Sequence, residues 1–177
     1  MEIMAAASAA AFGRPLVTNV LRGLVVEAIV AAALCPSWRW CSQDYHAWDF
    51  ERADGLRLEV KQSAMRQSWE SIRPSRCAFD IAERTGRWDG AEWIGDRRRW
   101  ADLYIFALHE VLDASADHRD PQQWSFYVVG ASRLPHQQTI GLRGVRRLGE
   151  PCRIDDLAKV VHCAASSLET SDGQPAA

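Results

Sequence analysis

Asp49 is followed, after nine intervening residues, by Glu59-Val60-Lys61, and Lys61 is one of only two lysines in 177 residues. Two carboxylates and an amine at this spacing are the groups from which a hydrolytic site is built, provided that the chain brings them together. Asp49 and Glu59 fall on two alternating segments, Tyr45 to Arg52 and Leu56 to Ser63, joined by Ala53-Asp54-Gly55. Asp-Gly between alternating segments signals a hairpin. A two-residue turn would place Trp48 beside Lys61 on one face. A three-residue loop, with Gly55 in the left-handed position, pairs odd with odd and gathers Trp48, Phe50, Leu58 and Val60 on one apolar face. That register sets Asp49 directly across from Glu59, with Lys61 its diagonal neighbour.

Like charges directly opposed destabilise a sheet, and a divalent cation relieves them. One or two carboxylates with water completing an octahedron suit Mg²⁺, or Mn²⁺ in its place, and the Val60 carbonyl is a further oxygen for the same ion. The expected metal set is thus Asp49, Glu59 and Val60. Glu27, inside the apolar run Leu16 to Leu34, is a third acid for this site, or else the partner of a core arginine such as Arg22 or Arg57. Taken alone, Glu-x-Lys is ordinary on a solvated strand face. The opposed Asp49, the upstream Glu27 and the scarcity of lysine set this instance apart.

Contacts to a substrate are sought among the arginines. Arg97, Arg98 and Arg99 end a long segment, residues 83–99, that also carries Trp88 and Trp93; Arg143, Arg146 and Arg147 form a later group. Guanidinium groups suit bidentate phosphate contacts and indoles stack on bases, so Arg97 to Arg99 are the expected nucleic-acid contacts. Solvated arginines and loop-pinning tryptophans are the alternative for both. His109 closes an interior strand, where a surface position is expected. Cys35, Cys41 and His46 fit no common zinc spacing.

The elements that must position these groups follow from periodicity. A helix runs from a cap at Thr18 or Asn19 to about Leu34, apolar nearly all round and therefore expected to be buried. Cys77 to Ile81, Leu103 to Leu108 and Trp124 to Gly130 read as strands, Trp38 to Trp40 as a loop or short strand, and 83–99 as a functional loop. Residues 153–168 are an amphipathic helix. No helix is evident between Lys61 and Leu103. A single domain over 14–168 is expected, with flexible ends at 1–13 and 169–177.

Hydrophobic residues make up 47% and charged residues 25%, which excludes wholesale disorder, and a net charge of −2 excludes a binder that holds nucleic acid by bulk charge. Arg22 and Glu27 within the apolar run argue against a membrane span, and no signal peptide is expected. Five cysteines with no CxxC pair point to a reducing cytoplasm.

At Asp49, Glu59-Val60-Lys61 and the helix bearing Glu27, the sequence resembles the PD-(D/E)xK nuclease superfamily, with Trp48 where the motif has Pro. It is most similar to an uncharacterised bacterial group, through LRGLVVEAIVAAAL, WDFERADGLRLEVKQSA, RRRWADLYIFALH, QWSFYVV and QTIGLRGVRRLGEPCRIDDL, over most of residues 20–158. The resemblance implies a restriction-endonuclease-like α/β (α+β) core, with a mixed central sheet flanked by helices. It also implies metal-dependent cleavage of nucleic acid, DNA being the expected substrate and a homodimer the expected assembly. Asp49, Glu59, Lys61 and Glu27 would be the catalytic residues. Two other classes stand beside it: a catalytically silent module keeping the same fold as a binding surface, and a glycosidase using Asp49 and Glu59 as acid and base. Lys61 counts against the latter, because it would depress the pKa of the acid.

Overall fold

A computed structural model describes residues 2–41 and 46–172, the last three by their backbone alone. The elements are α1 (Ile3–Phe12), α2 (Asn19–Leu34), β1 (Trp38–Trp40), β2 (Phe50–Arg52), β3 (Arg57–Ala64), β4 (Ala78–Asp80), β5 (Arg87–Asp89), β6 (Glu92–Ile94), β7 (Leu103–His109), β8 (Trp124–Gly130), β9 (Thr139–Gly141), α3 (Leu142–Leu148) and α4 (Ile154–Asp172). A five-stranded sheet has the order β1-β2-β3-β7-β8. Only β3 and β7 are parallel; the other pairs are antiparallel. The protein is therefore α+β, a mixed sheet with helices packed on it.

All seven residues of β7 are buried, as a central strand covered on both faces requires. On one face Leu58, Val60, Leu103, Ile105, Trp124 and Phe126 pack against Val26, Ile29 and Val30 of α2 and Leu157, Val161 and Ala165 of α4. On the other face Tyr104, Phe106, Tyr127 and Val129 pack against Phe79, Ile81, Trp100, Ile140 and Val145, supplied by short strands, loops and α3. The parallel pair β3–β7 needs a crossover. Here residues 65–102 provide it without a helix, through β4, which pairs with β9, and the hairpin β5–β6.

Several expectations are corrected. Residues 83–99 are no featureless loop, because β5 and β6 pair across a turn with Gly90 at φ +59°. α2 is not buried all round: Arg22, Val26 and Ile29 face inward while Val20 and Leu24 are exposed. The leading Ala-rich stretch forms α1, yet none of its residues is buried, so it gains little from packing. α3, carrying Arg143, Arg146 and Arg147, had no signal beyond Val145 because one buried residue per two turns leaves no stripe. The first segment of the hairpin is a strand only over Phe50–Arg52, and Tyr45 lies outside the described residues. Among the described residues, no helix is long and apolar enough to cross a membrane.

Candidate active site

The hairpin has the expected register, with Phe50 opposite Leu58 and Glu51 opposite Arg57. Its loop closes through the Gly55 N–H to the Arg52 carbonyl at 2.9 Å, and Gly55 adopts φ +87°, which a side chain would strain. β2 then ends where β3 continues. Beyond Leu58, β3 has no strand on that side among the described residues, and Asp49 sits at the resulting step.

Asp49 departs from a simple cross-strand pair. Its N–H donates to the Leu58 carbonyl at 3.0 Å, and its Oδ2 accepts the Val60 N–H at 2.6 Å, so one residue grips β3 on both sides of Glu59. Because N–H and C=O of one strand residue point to the same neighbour, the Val60 carbonyl looks out over the same step. This departure also breaks the alternation upstream. Phe50 enters the core under the helices, but Trp48 enters the opposite core and lies beneath the Arg57 guanidinium at 4.0 Å, a correction to the single apolar face expected for Trp48 and Phe50.

Glu59 and Lys61 share the face of β3 that meets Tyr104 and Phe106 of β7. Their side chains form an ion pair and are only 13% and 18% exposed. Glu27, on α2, comes to the group from the helix-covered side. Its Oε2 accepts the Trp40 indole N–H at 3.1 Å, which replaces the arginine partner considered from the sequence. Arg22 instead donates to Gln62 (2.6 Å), Gln67 (3.0 Å) and Asn19 (2.7 Å).

The electrostatics join the four groups. Burial pushes the Asp49 carboxyl up to about 8, and the charges of Glu59 and Glu27 add to the rise while Val60 N–H and Lys61 oppose it. Burial also raises Glu27 above the usual carboxylate range; Glu59 adds to this, and Trp40 and Lys61 oppose it. Glu27, Glu59 and Lys61 thus all act on the charge of Asp49 at the end of β2, with Asp49 bonded to the β3 backbone rather than facing Glu59 across a ladder as expected.

Among the described residues no group of three or more His, Cys, Asp and Glu side chains is gathered as a metal-ligand set. What the step offers is Asp49, Glu59 and the Val60 carbonyl. These hard oxygens fit a cation that keeps most of its water, such as Mg²⁺. Burial first, and the charges of Glu59 and Glu27 after it, hold the proton on Asp49.

The other candidates separate. Arg97 is exposed. Arg98 lies over the Trp100 ring at 3.9 Å and pairs with Asp96 at 3.3 Å. Arg99 donates to the carbonyls of Ile81 (2.8 Å), Leu134 (3.4 Å) and Pro135 (2.5 Å), so it pins the crossover to the domain and is corrected from a substrate contact to a structural one. Arg146 binds Glu110 at 2.7 Å. His109 is wholly buried rather than superficial, bonded to Gln123 at 3.0 Å and stacked edge-on against His118 and Trp124. Sequence reasoning missed Trp40, whose only signal was two tryptophans flanking Arg39 near an unpaired acid. A cavity of about 810 Å³ is lined by Leu16, residues 65–74 and Leu112, and by none of the four site residues. The sequence matches no protein-family profile and no curated protein.

Proposed function

We propose that the chain is a metal-dependent phosphodiesterase of the PD-(D/E)xK kind, cutting nucleic acid, with DNA as substrate. The observation that carries the reading is the double grip of Asp49 on β3, which sets its carboxylate beside the Glu59–Lys61 ion pair and within the field of Glu27. Asp49, Glu59 and the Val60 carbonyl would hold Mg²⁺ or Mn²⁺. Such an ion, when bound, polarises a phosphoryl oxygen and lowers the pKa of a coordinated water. Lys61 supplies a fixed positive charge next to the scissile phosphate and offsets charge developing there. Glu27, held by Trp40, accepts a hydrogen bond from the attacking water and orients it. A domain of this size acts on one strand, so cutting a duplex calls for a homodimer, and the reducing setting suggested by the cysteines is the cytoplasm.

The experiment is a panel of labelled single-stranded, duplex and branched DNA with Mg²⁺ or Mn²⁺. Cleavage by the native protein that vanishes in Lys61→Ala and Asp49→Asn supports the reading; cleavage unchanged in both rejects it. One observation favours a second reading, a silent module that keeps this surface for binding: among the described residues no three His, Cys, Asp or Glu side chains are gathered as a metal-ligand set. Calorimetry separates the two, because a silent module takes up no Mn²⁺ at Asp49 and Glu59.

A further inference from the structure

On the face that carries Glu59 and Lys61, guanidinium and indole groups alternate. Arg57 lies 4.0 Å from the centre of the Trp48 ring, Arg87 lies 5.7 Å from Trp48 and 5.2 Å from Trp100, and Arg98 lies 3.9 Å from Trp100. The ladder starts at the site, since Trp48 adjoins Asp49 and Arg57 stands two residues before Glu59 on the same strand face. It passes the β5–β6 hairpin, whose Arg87 is its middle rung, and ends at Arg98. The ladder is rich in donors and poor in acceptors. Among the described residues, Trp100 Nε1, Arg57 Nε and Arg87 Nε are buried without a hydrogen-bond partner, and the Trp48 indole N–H meets the Cys41 thiol. The acids that pair with Arg87 and Arg98, namely Asp89 and Asp96, are themselves exposed; the Arg98 pair is exposed on both sides and a phosphate can replace its acid, whereas Arg87, 16% exposed, presents only its outer edge.

The hairpin turns its two faces to different uses. Arg87 and Ile94, paired across it, face the domain. Trp88 and Trp93, also paired, face solvent at 49% and 47% exposure, with ring centroids 5.4 Å apart. Trp93 rests on Gly86, where a Cβ would come within 2.6 Å of the indole. An isolated hairpin gains stability from a cross-strand aromatic pair, but that role does not require half of each ring to stay in water.

We infer that the Trp88–Trp93 pair is a stacking platform for the bases of an unpaired nucleic-acid strand, whose phosphates follow the Arg57–Arg87–Arg98 rungs from the site past the hairpin. The inference rests on the phosphodiesterase reading and names its substrate class as single-stranded, because a duplex keeps its base faces inside its own stack. Stacking is worth about tenfold or more in affinity per base.

The test is fluorescence anisotropy with a short end-labelled single strand of DNA and the matching duplex, in EDTA so that no cleavage intervenes. Two variants are compared with the native protein: Trp88→Val with Trp93→Val, which keeps a β-forming pair without rings, and Trp88→Phe with Trp93→Phe, which keeps rings. The expected result is at least tenfold preference for the single strand, lost in the valine variant and largely kept in the phenylalanine variant. Equal affinity of the native protein for both DNAs, or a valine variant that binds as the native protein does, overturns the inference. Cleavage is then read separately with Mn²⁺. Native protein that binds the single strand through the tryptophans but cuts nothing leaves the platform standing and removes the phosphodiesterase reading instead.

Discussion

The two faces of the sheet differ in kind. The face under α2 and α4 is closed with aliphatic and aromatic side chains that need nothing further. The opposite face holds a largely buried ion pair, a carboxyl drawn toward protonation, and indole and guanidinium nitrogens without acceptors. A core with only structural duties avoids such groups, since each unsatisfied buried donor costs about 1–3 kcal/mol. The first face is a plain apolar core, and the second, approached by Glu27 from α2, holds polar groups at some cost to stability.

The largest effect that would break this division is on activity. Lys61→Ala should lower metal-dependent cleavage at least about a thousandfold in a single-turnover assay while circular dichroism stays native. A variant that unfolds would place Lys61 among the structural residues. Phe126→Ala, on the helix-covered face, should cost about 3–5 kcal/mol in urea melts and leave the intrinsic chemistry of any folded fraction intact. The paired change Glu59→Gln with Lys61→Met sharpens the contrast: activity is lost, yet the melting temperature holds or rises, because replacing a buried ion pair by similar-sized neutral groups is often neutral or stabilising.

Next in size is a pH effect. The Asp49 carboxyl sits at about 8 in the folded protein against 3.8 ordinarily, so between these values the folded state keeps a proton that the unfolded chain releases. Stability without metal must then fall as pH rises from about 4 to about 8, and Asp49→Asn should flatten the profile in thermal melts. A divalent cation competes with that proton, so Mn²⁺ affinity measured by calorimetry should rise over the same interval. The smallest effect is expected for Trp40→Phe, which removes only the N–H held by Glu27 and should change stability by about 1 kcal/mol. Its readout is the pH profile of cleavage, which a merely structural tryptophan would leave in place.

Legibility in the sequence follows the same division. β7, β8 and α4 were readable because continuous apolar runs and a 3.6-residue stripe arise from burial against one uniform surface. The hairpin register was readable because Asp54-Gly55 and alternation specify it together. The approach of Asp49, Glu59, Lys61 and Glu27 was anticipated, but the reason Asp49 holds its place was not: a side chain bonding to the Val60 N–H leaves no periodic trace. Nor does alternation foresee that Trp48 crosses to the other core once Asp49 leaves the ladder. The Arg–Trp ladder draws its rungs from residues 48, 57, 87, 98 and 100, and only the folded crossover brings them together.

β3 runs on past the end of β2, and an overhanging strand is an invitation to sheet growth by neighbouring molecules. Here the overhang is guarded, for a carboxylate occupies the amide at residue 60 and two opposite charges flank it. The same side chains therefore guard this edge against strand pairing, and the neutralised Glu59 and Lys61 variant, though no quicker to melt, should be the quicker to form fibrils once warmed.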